Sequence, residues 1–256
     1  MPPEILRAAT NGTLISPDYD LVEAKVQAQN SAKGELNYYD CHKCLNRGFV
    51  AHRRGDTVVT CECDCMPIRR SLRNIAKSGL TGLLDRYTFE RYTTPENWQQ
   101  SAKAMAQEYA LNPDGKWFCA FGAVGAGKSH LCTAICVELL ARGIEVRYML
   151  WRDESVMLKA TVNEAHTYSE AINRLKNVDV LYIDDLFKGK APTPADINLA
   201  YEILNHRYAG NKATIISSEL TMANFLDIDQ GVGSRIYERS RGYVAEFSGQ
   251  KNQRLR

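Results

Sequence analysis

The stretch Gly122-Ala-Val-Gly125-Ala126-Gly127-Lys128-Ser129 fits G-x-x-x-x-G-K-[ST] without a mismatch. An apolar run, Trp117 to Phe121, leads in as a buried strand would, and a helix-compatible run from His130 to Arg142 leads out. Such a turn lets backbone N–H groups converge on a polyphosphate, and the helix N-terminus adds partial positive charge. Lys128 would reach the β- and γ-phosphates, and the Ser129 hydroxyl would ligate magnesium. Gly122, Gly125, Ala126, Gly127 and His130 complete the expected cradle. A glycine-rich turn carrying Lys-Ser by chance needs neither flank. The expectation is therefore a site for ATP and Mg in an α/β fold around a central parallel sheet.

A second strand supports this. Val178-Asp-Val-Leu-Tyr-Ile-Asp184-Asp185-Leu186 is apolar and ends in two acids. A buried parallel strand can deliver a carboxylate to the magnesium shell at its carboxyl end. That assigns Asp184 to the metal side and Asp185 to polarising the attacking water as a general base; an acidic loop in solvent is the plainer alternative. Lys212 to Ser218 is another buried strand, ending in hydroxyls. Gly233-Ser-Arg235-Ile-Tyr-Glu-Arg239 is expected as a helix with both arginines on one face, and the tail to Arg254 adds another cation. Arginines so placed suit stabilisation of phosphate charge across a subunit boundary, or plain surface ion pairs.

Cysteine use divides the chain. Of eight cysteines, five lie between Cys41 and Cys65. Cys41-His-Lys-Cys44, sixteen residues, then Cys61-Glu-Cys63-Asp-Cys65 is the spacing of a thiolate knuckle for a tetrahedral ion. Gly48-Phe-Val-Ala and Thr57-Val-Val-Thr around Arg53-Arg54-Gly55-Asp56 predict a β-hairpin between the halves. This segment has few large apolar residues, so structural zinc could supply roughly 10–16 kcal/mol of apparent folding free energy. Cys41, Cys44, Cys63 and Cys65 are the chosen ligands, with Cys61, His42 or His52 as substitutes. Reduced cysteines without metal are the alternative; nothing nearby suggests an activated water.

Upstream, Ser16-Pro17-Asp18 predicts a helix start with a stop at Gly34. Downstream, Ile68, Leu72 and Ile75 form one helical face and Arg69, Arg70, Arg73 and Lys77 another, with Gly79 ending the helix. The cationic face is either solvated or a phosphate or partner contact. Leu83 to Phe89 and a helix from Ser101 form a lead-in to the phosphate-loop strand. Helical sequence continues through 151–177, where Arg152, Lys159, Arg174 and Lys176, with Tyr148 and Trp151 for stacking, are candidate single-stranded DNA contacts. A net charge of +2 discriminates nothing by itself. No apolar run reaches the roughly 20 residues of a membrane span, and the start lacks a signal peptide, so a cytoplasmic location without membrane contact is expected.

The whole resembles the bacterial and phage DnaC/DnaI-type replicative helicase loaders, within the AAA+ ATPases. The resemblance runs from about Tyr38 onward. It rests on Cys-x-x-Cys with Asn46-Arg-Gly-Phe, Cys63-Asp-Cys-Met-Pro-Ile-Arg-Arg-Ser71, Lys77-Ser-Gly-Leu80 and the phosphate loop. It rests also on Ile183-Asp-Asp-Leu186, Ile215-Ile-Ser-Ser-Glu-Leu-Thr221 and Gly233 to Arg239. The resemblance implies a zinc-binding domain at 1–80 that grips a hexameric replicative DNA helicase. It implies an AAA+ ATPase domain at 81–256 that binds ATP and single-stranded DNA and self-associates. It makes Arg239 the arginine finger, Arg235 a neighbouring motif arginine and Arg254 the sensor-2 position. The sensor-1 position, often Asn, falls near Ser218-Glu219. Competing functions are an IstB-type transposition helper and a zinc-containing DNA-binding adaptor with a structural ATP site.

Overall fold

The computed structural model describes residues 20–77, 81–189 and 191–247. It divides into two compact units, Met1–Arg69 and Arg70–Arg256. Ser16 to Asp18, Gly79 and Arg254 lie outside the described residues.

In the first unit, helix α1 (Leu21–Ser31) starts after Asp20, whose carboxylate accepts the Val22 and Glu23 N–H groups at 2.9 and 3.1 Å. It ends before Gly34. That glycine has a packing role instead: a Cβ there would sit 2.3 Å from the Asn46 carbonyl oxygen. Strands β1 (Phe49–Arg54) and β2 (Thr57–Glu62) form the expected antiparallel hairpin, turning at Gly55, whose φ is 60°. Only Val50 and Ala51 of β1 are buried. Asn30 of α1 pairs with the Ala51 backbone in both directions at 2.9 Å, so a side-chain amide extends the hairpin edge.

Helix α2 (Cys65–Lys77) carries one correction. Arg69 is not on a solvated face; it is 3% exposed and donates to the carbonyls of Leu36 (2.7 Å) and Asn37 (2.5 Å) and to Asn46 Oδ1 (2.6 Å). Helical spacing groups it with Arg73, but the loop at 36–37 supplies buried acceptors that periodicity cannot reveal.

In the second unit, α3 (Thr81–Leu84) and α4 (Asn97–Leu111) precede β3 (Trp117–Gly122), α5 (Lys128–Ala141) and β4 (Val146–Leu150). Then come α6 (Trp151–Ala160), α7 (Ala165–Asn177), β5 (Val180–Asp184), α8 (Pro194–Ala209) and β6 (Ala213–Ser218). Helices α9 (Met222–Ile228) and α10 (Gln230–Arg239) lead to β7 (Val244–Phe247). The sheet order is β4-β5-β6-β3-β7 and every pairing is parallel. Side chains alternate across it. Phe118, Ala120, Tyr148 and Tyr182 join one apolar layer with Leu131 and Ile135 of α5; Trp117, Phe121, Leu181 and Ile183 join another with Ile203 and Phe225. Burial on both faces explains the unbroken apolar strands.

The expected helical stretch over 151–177 is two helices broken at 161–164, where the Thr161 hydroxyl turns back to the carbonyls of Met157 and Leu158. Arg207 of α8 is fully buried. It donates to the carbonyls of Leu175 (2.9 Å), Lys176 (3.2 Å), Val178 (2.9 Å), Asp179 (3.2 Å) and Ala213, and to Thr214 Oγ1 (3.0 Å). One guanidinium thus satisfies the carboxyl end of α7 and ties it to the entry of two strands. Among the described residues, no helix is long and apolar enough to cross a membrane.

Candidate functional site

Gly122, Leu150, Asp184 and Ser218 close their strands at one edge of the sheet, where ligands of open parallel α/β sheets bind. Gly122, Gly125 and Gly127 have φ of 113°, 70° and 101°, a conformation glycine adopts without penalty. A Cβ at Gly127 would also press on the Tyr92 ring at 3.2 Å. It caps α5 without a side-chain hydrogen bond, leaving the first-turn N–H groups uncapped by a side chain and facing the loop.

Lys128, 6% exposed, donates to the carbonyls of Gly122 (2.7 Å) and Ala123 (2.8 Å) within the loop. Burial lowers its pKa, an effect opposed by the nearby Glu219 and Asp185 carboxylates. Ser129 Oγ donates to Asp184 Oδ1 at 3.2 Å. The magnesium-side hydroxyl and carboxylate named from sequence therefore meet. These residues fit Mg-ATP: a glycine loop with open N–H groups, a buried lysine, and a hydroxyl–carboxylate pair.

Asp184 is the centre of a hydroxyl cluster. Oδ1 also accepts from Tyr182 (2.7 Å) and from the Ser217 hydroxyl, while Oδ2 accepts from Tyr148 at 3.1 Å. Strand parity produces this: Tyr182 and Asp184 point to the α5 side, as does Tyr148 on the neighbouring strand. Burial, then the Asp184 charge, push the Tyr148 phenol far up, so it remains a donor.

Asp185 emerges beyond the strand with φ 58° and lines a cavity of about 190 Å³ with Lys128, Lys188 and Glu219. Its N–H donates to Ser217 Oγ at 2.9 Å. Tyr87, from the lead-in segment, also lines the cavity and stacks on His130 at 4.7 Å. His130 Nε2 lies 3.0 Å from the Thr88 carbonyl, and burial lowers its pKa. Lys188 carries no signal in the sequence; Tyr87 falls in the expected lead-in, Ser217 among the strand-end hydroxyls and Glu219 beside the expected sensor-1 position, none with the contacts found here.

Other expected residues lie elsewhere. Ser218 does not reach the phosphate cavity: it is fully buried, donating to the Leu186 carbonyl at 2.6 Å and accepting from Leu220 N at 3.2 Å. Arg235 of α10 covers the Tyr201 ring at 4.8 Å and Arg239 the Tyr208 ring at 4.7 Å; neither lines the cavity of its own chain. Tyr148 and Trp151 are 6% and 4% exposed, which corrects their expected role as stacking platforms. Lys159 pairs with Asp196 (2.5 Å), Lys176 with Glu202 (2.6 Å) and Arg174 with Glu170 (3.9 Å), so only Arg152 of the four is without an ion pair among the described residues.

In the first unit the Sγ atoms of Cys41, Cys44, Cys63 and Cys65 all lie within 4.8 Å of one another. Cys41 and Cys63 are 3.8 Å apart, and Cys44 and Cys65 3.7 Å. Zinc–sulfur bonds of about 2.3 Å require tetrahedral edges of about 3.8 Å. The cluster fits that ion. Burial opposes thiolate charge, but the Gly48 N–H at 3.3 Å and the neighbouring thiols bring Cys44 down to about 6. Arg69 Nε adds a donor to Cys65 Sγ at 3.4 Å. Cys61 is exposed in β2 and outside the cluster, as are His42 and His52.

A family profile described as IstB-like ATP binding protein matches residues 75–233. The chain is 31% identical over 236 residues to the phage-like element PBSX protein XkdC of Bacillus subtilis (strain 168), covering 87% of each. It is 30% identical over 172 residues to the replicative helicase loader DnaC of Escherichia coli (strain K12), covering 66% of this chain and 69% of that one. Its fold is similar to a crystal structure of the DnaC helicase loader, with TM-score 0.55 and 20% identity over 65% of this chain and 98% of that chain. A DnaI crystal structure gives TM-score 0.54 and 20% identity, covering 67% and 93%.

Proposed function

Because the chain belongs to the IstB/DnaC-type family of AAA+ ATP-binding proteins, we propose that it is an ATP-switched loader of a hexameric replicative DNA helicase, acting on single-stranded DNA. The observation that carries this reading is the joining of a buried four-cysteine cluster to the family's ATP site in one chain. The N-terminal region, residues 1–80, grips the helicase; residues 81–256 bind ATP and self-associate.

In this reading Lys128 and the loop N–H groups hold the polyphosphate, Ser129 and Asp184 position magnesium, and Asp185 orients the attacking water. Magnesium neutralises charge on the phosphates. Arg235 and Arg239, away from their own chain's cavity, serve a neighbouring subunit's site, and hydrolysis is a timed switch rather than a motor stroke. Zinc, when bound, fixes the fold of the cysteine unit.

The IstB-type transposition helper is the second reading, favoured by the description of the family profile; that match begins at residue 75 and leaves the cysteine cluster outside. Co-purification of the full chain with a hexameric replicative helicase, with and without ATP, separates the two. Capture that is lost in Cys44→Ser while ATP binding persists supports the loader. Absence of capture by the zinc-loaded wild type, in either nucleotide state, refutes it. Asp185→Asn should accumulate ATP-bound assemblies; unchanged turnover would remove Asp185 from the mechanism.

A further inference from the structure

Four charges face the small phosphate cavity: Lys128 on the loop, and Asp185, Lys188 and Glu219 opposite. Lys188 Nζ bridges the two carboxylates, 2.9 Å from Asp185 Oδ2 and 3.2 Å from Glu219 Oε1. Lys188 is exposed, while the two carboxylates it bridges are half-buried at the cavity wall. Repulsion from Lys188 is also among the causes that lower the Lys128 pKa, so the two ammonium groups share one electrostatic field.

The backbone beneath Lys188 is fixed. Its N–H donates to the Asp185 carbonyl at 3.0 Å, Leu186 N–H to the Ser217 carbonyl at 2.9 Å, and the Phe187 ring is buried against Trp151 and Phe225. A lysine head on a flexible four-carbon stem can exchange partners while such a turn stays still. The bridge also neutralises the pocket: two ammonium groups against two carboxylates. A triphosphate would bring additional negative charge, and the Ser129–Asp184 pair that would hold its magnesium sits at the same strand end as Asp185 and Lys188.

We infer that Lys188 discriminates ATP from ADP: its ammonium leaves the Asp185–Glu219 bridge for the terminal phosphate and thereby frees the Asp185 carboxylate for water. ADP lacks that phosphoryl and leaves the bridge closed. Glu219 is the competitor that holds Lys188 back. The inference rests on the ATPase reading and deepens it.

The test is direct binding of fluorescent ATP and ADP analogues, with magnesium, to the full chain. Lys188→Met should lower the ATP-to-ADP affinity ratio roughly tenfold, the size of one charge-assisted hydrogen bond. Glu219→Gln should move the ratio the opposite way, by releasing Lys188. In the Lys188→Met/Glu219→Gln double variant that rise should vanish. A lysine that merely braces the turn would lower the melting temperature of Lys188→Met and leave the ratio at the wild-type value; that result overturns the inference while the ATP reading stands. Wild type that binds neither nucleotide overturns both.

Discussion

Replacing Tyr148 with Phe isolates a single hydrogen bond at Asp184, the carboxylate proposed to position magnesium. The ring stays, edge-on to Tyr182 with centroids 5.3 Å apart, so packing is conserved. The hydroxyl that donates to Asp184 Oδ2 at 3.1 Å is lost, and no other described donor reaches that oxygen. A hydrogen bond to a charged group contributes about 1.5–3 kcal/mol, and removing a partner of a metal-site carboxylate costs roughly 10–100-fold in metal affinity. Tyr148→Phe should therefore raise the magnesium concentration needed for tight nucleotide binding by about tenfold or more. Tyr182→Phe should do less, because Ser129 and Ser217 still donate to Oδ1. The assay is a magnesium titration of fluorescent ATP affinity, with thermal melts to verify folding. An unchanged magnesium midpoint in Tyr148→Phe, or a larger shift in Tyr182→Phe, would refute the argument that Oδ2 orientation depends on this one donor.

Arg207→Met should cost about 3–5 kcal/mol by removing a fully buried donor to five carbonyls, lowering the melting temperature by roughly 10 °C in circular dichroism; a shift under 2 °C would mean that water replaces it. Metal analysis should find one zinc per chain, lost in Cys44→Ser and retained in Cys61→Ser, because Cys61 lies outside the cluster. His130 has its folded pKa below the ordinary 6.5, so its neutral form favours the fold. That stability is present above about 6.5 and lost as pH falls through the lowered folded value, because the unfolded chain takes up the proton first. His130→Gln should flatten this part of the melting-temperature profile; equal acid sensitivity in both proteins would exclude His130 as its source.

The ATP-binding unit was legible because its strands are buried on both faces and its phosphate loop needs glycine at defined places. Two acids after β5 are readable as a pair, and strand parity places the first of them, Asp184, with Tyr148 and Tyr182. The four-cysteine cluster was readable from spacing, and the structure leaves Cys61 outside it, exposed on β2. Arg69 could not be read, because its acceptors are backbone carbonyls 32 and 33 residues away. Ser218 failed for a related reason: a strand end offers two adjacent hydroxyls, and only the fold decides that Ser217 faces Asp184 and Ser218 faces Leu186. The cations at 151–177 looked available in sequence, while three of them have carboxylate partners on facing or preceding turns.

The turn after β5 holds two non-glycine residues, Asp185 and Phe187, both with φ of 58°. An aspartate tolerates that region; for a bulky side chain it costs about 1–2 kcal/mol. Glycine at 187 would relieve the backbone but remove a 5% exposed ring, at a cost of roughly 3–5 kcal/mol in lost packing. The residue that strains the turn is therefore also the one that anchors it. No single substitution at 187 relaxes the backbone and keeps the anchor. The strained backbone and its buried ring together hold the Asp185 carboxylate at the cavity wall.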